Sequence, residues 1–205
     1  MDNLEEIAKE IQAKLDEKDE IREVALKSSR AILRLAGSAL RQMQKGEDGS
    51  ENLQAARNEA HRLTGVLEGH HDIYYSGFVE NAFQELTEAH VLRNILRGER
   101  IRDPKEVGVH PIAYLLGLGD VVGELRRLAL NSLINGEVKK AKDCLGKMET
   151  IYDILIRFDY PSALVPIRRK QDIARSLIEK TRGEIAVAST SSALEAKIGN
   201  LEKKI

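Results

Sequence analysis

The sequence predicts an all-α protein, and three observations carry that reading. Apolar residues recur at spacings of three and four along almost the whole chain, and nothing alternates for long with the period of a half-buried strand. The composition is rich in Ala, Leu, Ile, Glu, Lys and Arg, with aromatics at 4%, no Trp and only 4 Pro. Turn formers stand between the periodic runs: Gly46-Glu47-Asp48-Gly49, Gly98, Asn135-Gly136 and Asp159-Tyr160-Pro161.

The elements follow in order. Leu4, Ile7, Ile11 and Leu15 open a run that continues past the charged stretch Asp16 to Glu20 with Ile21, Val24, Leu26, Ile32, Leu33, Leu35 and Leu40. It predicts one long helix ending near Lys45. Ser50 is placed to cap a second helix, which runs to Leu67 and stops at Glu68-Gly69-His70-His71. A third covers Gly77 to Arg97 and is closed by Gly98, and residues 99–111 form a connector. Pro111 suits the first turn of a fourth helix, reaching Leu133. A fifth spans Glu137 to Phe158 until Pro161 breaks the pattern. Pro166 opens a sixth, basic helix to Arg182, which Gly183 is expected to end. Leu194, Ile198, Leu201 and Ile205 then form a short seam for a partner helix, weakened by Ala-Ser-Thr-Ser-Ser at 188–192.

A chain of 205 residues with no internal repeat and no linker reads as a single all-α domain, 1–205, with 183–205 as a C-terminal helix or flexible tail. Charged residues are 32% and hydrophobic residues 42%, which excludes collagen-like, mucin-like and disulfide-scaffold classes. The net charge of −1 leaves no protein-wide basic field, so a polyanion must be held by a local patch. One cysteine, Cys144, cannot make an internal disulfide. The opening MDNLEEIAKE lacks the basic and apolar regions of a secretory signal, and no clean apolar stretch is long enough to span a bilayer. These features predict a soluble, cytoplasmic protein with no membrane contact.

Chemistry concentrates in residues 110–130, HPIAYLLGLGDVVGELRRLAL. From Pro111 to Leu125 the only charges are Asp120 and Glu124, four apart on one helix face and surrounded by apolar residues and glycines. Gly117, Gly119 and Gly123 each cost a helix interior about 1 kcal/mol against Ala, which makes sense where another chain segment or a ligand must come close. Two carboxylates together repel and lone buried charges are expensive, so the pair must be neutralised by bases, protons or a metal. A second pair, Glu85 and Glu88, lies on the third helix. Glu85 falls in the stripe Ala82, Glu85, Ala89, Leu92, Leu96, and Glu88 is flanked by Val91, Leu92 and Ile95. Two helices each offering two inward carboxylates suit one hard divalent ion, Mg²⁺ or Mn²⁺, which activates water for phosphodiester attack. The bland counterpart is salt bridging to Arg126, Arg127 or another helix.

Basic character is local. Arg93, Arg97, Arg100 and Arg102 cluster around the end of the third helix, and Arg168, Arg169, Lys170, Arg175, Lys180 and Arg182 mark the sixth. Both groups are candidates for RNA phosphate contacts, with a solvated face or salt bridges as the ordinary alternative. Tyr74, Tyr75 and Phe78 are placed to stack bases or to pack into a core. The histidines His61, His70, His71, His90 and His110 have no metal-ligand spacing, and Cys144 reads as a packed thiol.

Longer segments carry a resemblance. Arg22-Glu23 leading into LKSSRAILRLAGSAL, then QELTEA, YLLGLGDVVGELRRLALNSLINGE and IYDILIRFDYPSALVPIRRKQDIARSLIE resemble the translin family, and within it the translin-associated factor X (Trax) branch, over residues 20–182. The resemblance implies a seven-helix bundle of long helices in closed oligomers, commonly octamers. It implies binding of single-stranded RNA, and of single-stranded DNA as translin does. The Trax branch adds a Mg²⁺-dependent endoribonuclease whose acids match Glu85, Glu88, Asp120 and Glu124. The chain is shorter than typical eukaryotic Trax and has no extended basic N-terminal tail, which points to a prokaryotic, archaeal homologue forming homo-oligomers. The alternative function is a non-catalytic single-stranded RNA- or DNA-binding protein of translin type.

Overall fold

A computed structural model describes residues 3–202, and within them the chain forms eight helical segments and no strand. Six are long: α1 (Leu4–Gln44), α2 (Ser50–Val66), α4 (Gly77–Arg97), α6 (Pro111–Ile134), α7 (Val138–Leu155) and α8 (Arg168–Glu202). Two are single turns, α3 (His71–Tyr74) and α5 (Pro104–Val107). The α3 turn lies where the sequence predicts a loop. The α5 turn falls inside the expected connector, where Asp103 and Glu106 form a reciprocal capping box ahead of Pro104.

Contacts group the chain into two units, residues 1–114 and 115–205. In the first, α1 packs on α2 and α4. Its buried stripe begins only at Ala25 and continues through Ser28, Ser29, Ile32, Ala36, Ala39, Leu40 and Met43. Residues 4–20 of α1 are all exposed, including the apolar Leu4, Ile7, Ile11 and Leu15. Small residues bring α1 and α2 together: Ala36 and Ala39 on one helix, Ala56 and Ala60 on the other, are fully buried. Gly49, at φ +66°, starts α2 so tightly against α1 that a Cβ there would lie 3.0 Å from the Ala39 carbonyl oxygen. Gly49 therefore takes the N-cap position expected for Ser50, which becomes the first helical residue. From α4, Val79, Ala82, Phe83, Leu86 and Leu92 complete this core, and burial of Phe83 alone contributes about 2–3 kcal/mol.

In the second unit α7 packs on α8. Ala129, Ala141 and Ile185 form a small core against which Leu133, Cys144 and Leu145 pack. Gly183 does not end the basic helix, contrary to expectation: α8 runs unbroken from Arg168 to Glu202. Two ties on either side of the glycine explain this. Thr181 is fully buried, and Arg126 of α6 donates to the Thr181 hydroxyl at 2.6 Å and to both oxygens of Glu184 at 2.9 Å. Such contacts exceed the ~1 kcal/mol that one helical glycine costs. The expected C-terminal seam is thus part of α8, with Leu194 and Ile198 exposed, while Ile205 lies outside the described residues.

Candidate functional site

Asp120 and Glu124 lie on α6 one turn apart, among the buried Leu116, Val121, Val122 and Leu125. Both are half-buried, with side-chain exposures of 33% and 17%. Each has a basic neighbour. The Lys170 ammonium donates to both oxygens of Asp120, at 2.5 and 2.6 Å, and Arg127 approaches Glu124 at 3.7 Å. Lys170 comes from the first turn of α8 and reaches Asp120 across Gly119, where an added Cβ would lie 2.9 Å from the Lys170 Cβ. The close approach inferred from the helical glycines is real at Gly119, and the approaching group is a lysine stem. A Cβ at Gly123 would meet open space.

Glu85 and Glu88 lie on α4, half-buried between the buried Leu86, Thr87 and Ala89. Thr87 turns its hydroxyl back to the Phe83 carbonyl at 2.8 Å, while Glu85 and Glu88 remain partly exposed. Neighbouring Glu80 is held above the usual carboxylate range by burial. Among the described residues no group of three or more His, Cys, Asp or Glu side chains is arranged to hold a metal ion. On α6 the donor chemistry of Asp120 and Glu124, two carboxylates one turn apart, is of the hard-oxygen kind that suits a divalent cation keeping several waters.

The arginines at the end of α4 are largely occupied. Asp48 receives Arg97 at 2.6 Å and Arg93 at 3.2 Å, and Arg93 also reaches Glu99 at 2.9 Å. A hydrogen bond from Ser50, together with these two guanidinium groups, holds the Asp48 carboxyl down to about 2. Arg100 makes a two-point bond to Glu106 at 2.5 and 3.0 Å. This group serves first as an ion-pair network joining the α1–α2 turn, α4 and the α5 capping box. On α8, Arg168 approaches Asp159 only at 3.5 Å and is 70% exposed, and Arg169 is exposed as well. Arg175 and Arg182 pair with Asp172 and Glu149.

The aromatic residues form a cluster that sequence reasoning did not find. Tyr74 packs edge-on against Tyr75 and Phe83, and the His110 ring lies 5.1–5.8 Å from all three. His110 is also the N-cap of α6: its Nδ1 accepts the Ala113 N–H at 3.1 Å. Only Tyr75 of this group is exposed, and Phe78 is half-buried. His90, buried on α4, and His110 are both pushed down to about 4 by desolvation, with the charge of Arg93 adding to the effect at His90. Cys144 packs beside Ala129 and Ala141, and burial raises its thiol pKa. No helix of the described residues is long and apolar enough to cross a membrane.

Comparison with known proteins places this geometry. A protein from Methanocaldococcus jannaschii, the uncharacterized protein MJ0175, is 33% identical over 172 residues, covering 83% of this chain and 78% of its own. The crystal structure of AfC3PO superposes with a TM-score of 0.82 at 33% identity, covering 90% of this chain and 97% of that one. AfC3PO in a duplex RNA complex matches with a TM-score of 0.71 at 31% identity over the same shares. Apo-NeC3PO matches with a TM-score of 0.71 at 26% identity, covering 92% and 98%. The Translin family model matches residues 3–182, and the chain belongs to the translin family.

Proposed function

We propose that this chain is a Trax-like, metal-dependent endoribonuclease that cleaves single-stranded RNA inside a homo-oligomeric shell, with an octamer as the expected count. The carrying observation is the half-buried Asp120–Glu124 pair on the apolar face of α6, at positions that the resemblance to Trax assigns to catalytic acids. Glu85 and Glu88, half-buried on α4, complete that acid set. The AfC3PO duplex RNA complex shows that a relative with this fold holds RNA. The exposed stripe Leu4, Ile7, Ile11 and Leu15 on α1 is the kind of apolar surface that subunit packing covers.

The residues would divide the work. Glu85, Glu88, Asp120 and Glu124 would hold Mg²⁺ or Mn²⁺, directly or through water. The ion supplies Lewis acidity toward the phosphodiester and lowers the pKa of a bound water. Glu124, the more buried of the α6 acids, is suited to orient or deprotonate that water. Arg169 is exposed on α8, and Arg168 is exposed there with only a 3.5 Å contact to Asp159, so both can meet RNA phosphates, whereas Arg93, Arg97 and Arg100 would have to exchange closer carboxylate partners to do so.

Asp120→Asn tests the proposal. The wild type should cut an end-labelled single-stranded RNA with Mn²⁺ and not in EDTA. The variant should lose cleavage by two or more orders of magnitude, about the loss seen when one charged group is removed from a developing-charge site, while keeping its oligomer size and RNA affinity. Cleavage at the wild-type rate by Asp120→Asn would sink the mechanism. One observation favours a second reading, a non-catalytic single-stranded RNA or DNA binder: Asp120 already has a cationic partner within its own unit. Intact RNA after long incubation with Mn²⁺, combined with salt-sensitive binding, would select it.

A further inference from the structure

We propose that Lys170 is the resident counter-ion of Asp120, which a divalent cation must displace, and that the displaced ammonium then becomes available to an RNA phosphate. The inference rests on the metal-dependent reading above and concerns how its site is loaded. Lys170 contacts both carboxylate oxygens of Asp120, so in this arrangement it occupies the lone pairs a metal ligand would use. The pair is built in. Gly119 stands in a helix interior, and replacing its hydrogen by a Cβ would bring that atom to 2.9 Å from Cβ, 3.3 Å from Cγ and 3.5 Å from Cδ of Lys170. The lysine stem lies in a slot that only glycine leaves open.

Its neighbours behave differently. Arg168 and Arg169 are exposed, while the Lys170 side chain is only 24% exposed. Lysine also suits exchange better than arginine. Its ammonium is a single mobile point charge on four methylenes, whereas a guanidinium would bind the carboxylate as a fixed two-point fork. A carboxylate surrendered to a divalent ion leaves a positive charge at the same place, and the nearest compensating anion in an RNA complex is a phosphate. An ordinary structural tie between α8 and α6 would have the same geometry, but it predicts a different response to the ion.

The test titrates Mn²⁺ alone into the full-length protein by calorimetry, without RNA. Lys170→Met should bind Mn²⁺ about tenfold or more tightly than the wild type, since a like charge beside the ion is removed. Gly119→Ala, which keeps the lysine but crowds its stem, should shift the affinity in the same direction. Lys140→Met, which takes an ammonium from Glu137 elsewhere in the same unit, should leave it unchanged. Adding Asp120→Asn to Lys170→Met should erase the gain. A wild type that binds Mn²⁺ while both Lys170→Met and Gly119→Ala bind equally or less well overturns the displacement idea and leaves the metal reading standing. Absence of Mn²⁺ binding in the wild type and all variants overturns both. Binding that appears only once Lys170 is gone supports displacement in its strongest form.

Discussion

Two buried histidines should make the first unit acid-sensitive well above the carboxylate range. His90 and His110 are 6% and 4% exposed, and burial holds each down to about 4, against an ordinary value of 6.5. Both are neutral in the folded protein at pH 7. On acidification below pH 6.5 the unfolded chain takes up protons that the folded chain refuses, so stability falls with pH until the folded groups titrate near 4. At 1.36 kcal/mol per pH unit, each histidine withdraws about 2 kcal/mol between pH 6.5 and 5, and the pair about 4 kcal/mol. That is a large part of a typical folding free energy of about 5–15 kcal/mol. At His110 burial is the cause of the shift, and the geometry shows what protonation would also break. Nδ1 accepts the Ala113 N–H, and a proton on that nitrogen would abolish the cap of α6.

The window is separable from the acids. Asp48 at about 2 and the lowered Glu59, Asp72 and Glu106 lose their stabilising ionisation only at lower pH, as each falls through its depressed folded value. Urea unfolding at intervals from pH 7.5 to 4.5 measures the slope. His110→Asn keeps a capping acceptor without a titrating ring, and His90→Leu removes a buried ring nitrogen, Nε2, that has no hydrogen-bond partner. The double variant should be nearly flat between pH 6.5 and 5. If it retains the wild-type slope, the assignment of that slope to these two burials is wrong.

Two further outcomes follow from local geometry. Gly108→Ala should destabilise by about 1–2 kcal/mol in thermal unfolding, because φ is +87° and the new Cβ would press on the His61 ring at 3.1 Å; an unchanged melting temperature would contradict this. Asp103→Ala removes one half of the α5 capping box and should cost about 1 kcal/mol, with the loss of hydrogen-exchange protection confined to residues near 104–108; a protected turn in the variant would show that the box is dispensable.

Much of this protein is determined by its sequence alone. The period of its apolar residues specifies long helices, and the breakers at Gly46–Gly49, Gly98 and Asn135-Gly136 fall where α1, α4 and α6 end, because local propensity and turn chemistry act over a few residues. The half-burial of Asp120 and Glu124 was legible for the same reason, since an acid on a face of Leu and Val has little choice of surroundings. The α5 turn was also written locally, in Asp103-Pro104 and Glu106, though as a signal only one turn long. Partnership across long separations was not legible. No local pattern says that Lys170 would cross Gly119 to Asp120, that Asp48 would gather Arg93 and Arg97, or that Thr181 and Glu184 would carry α8 past Gly183. Ion pairs are chosen by which side chains the packed helices bring within reach, and that reach is a property of tertiary packing rather than of any stretch of chain.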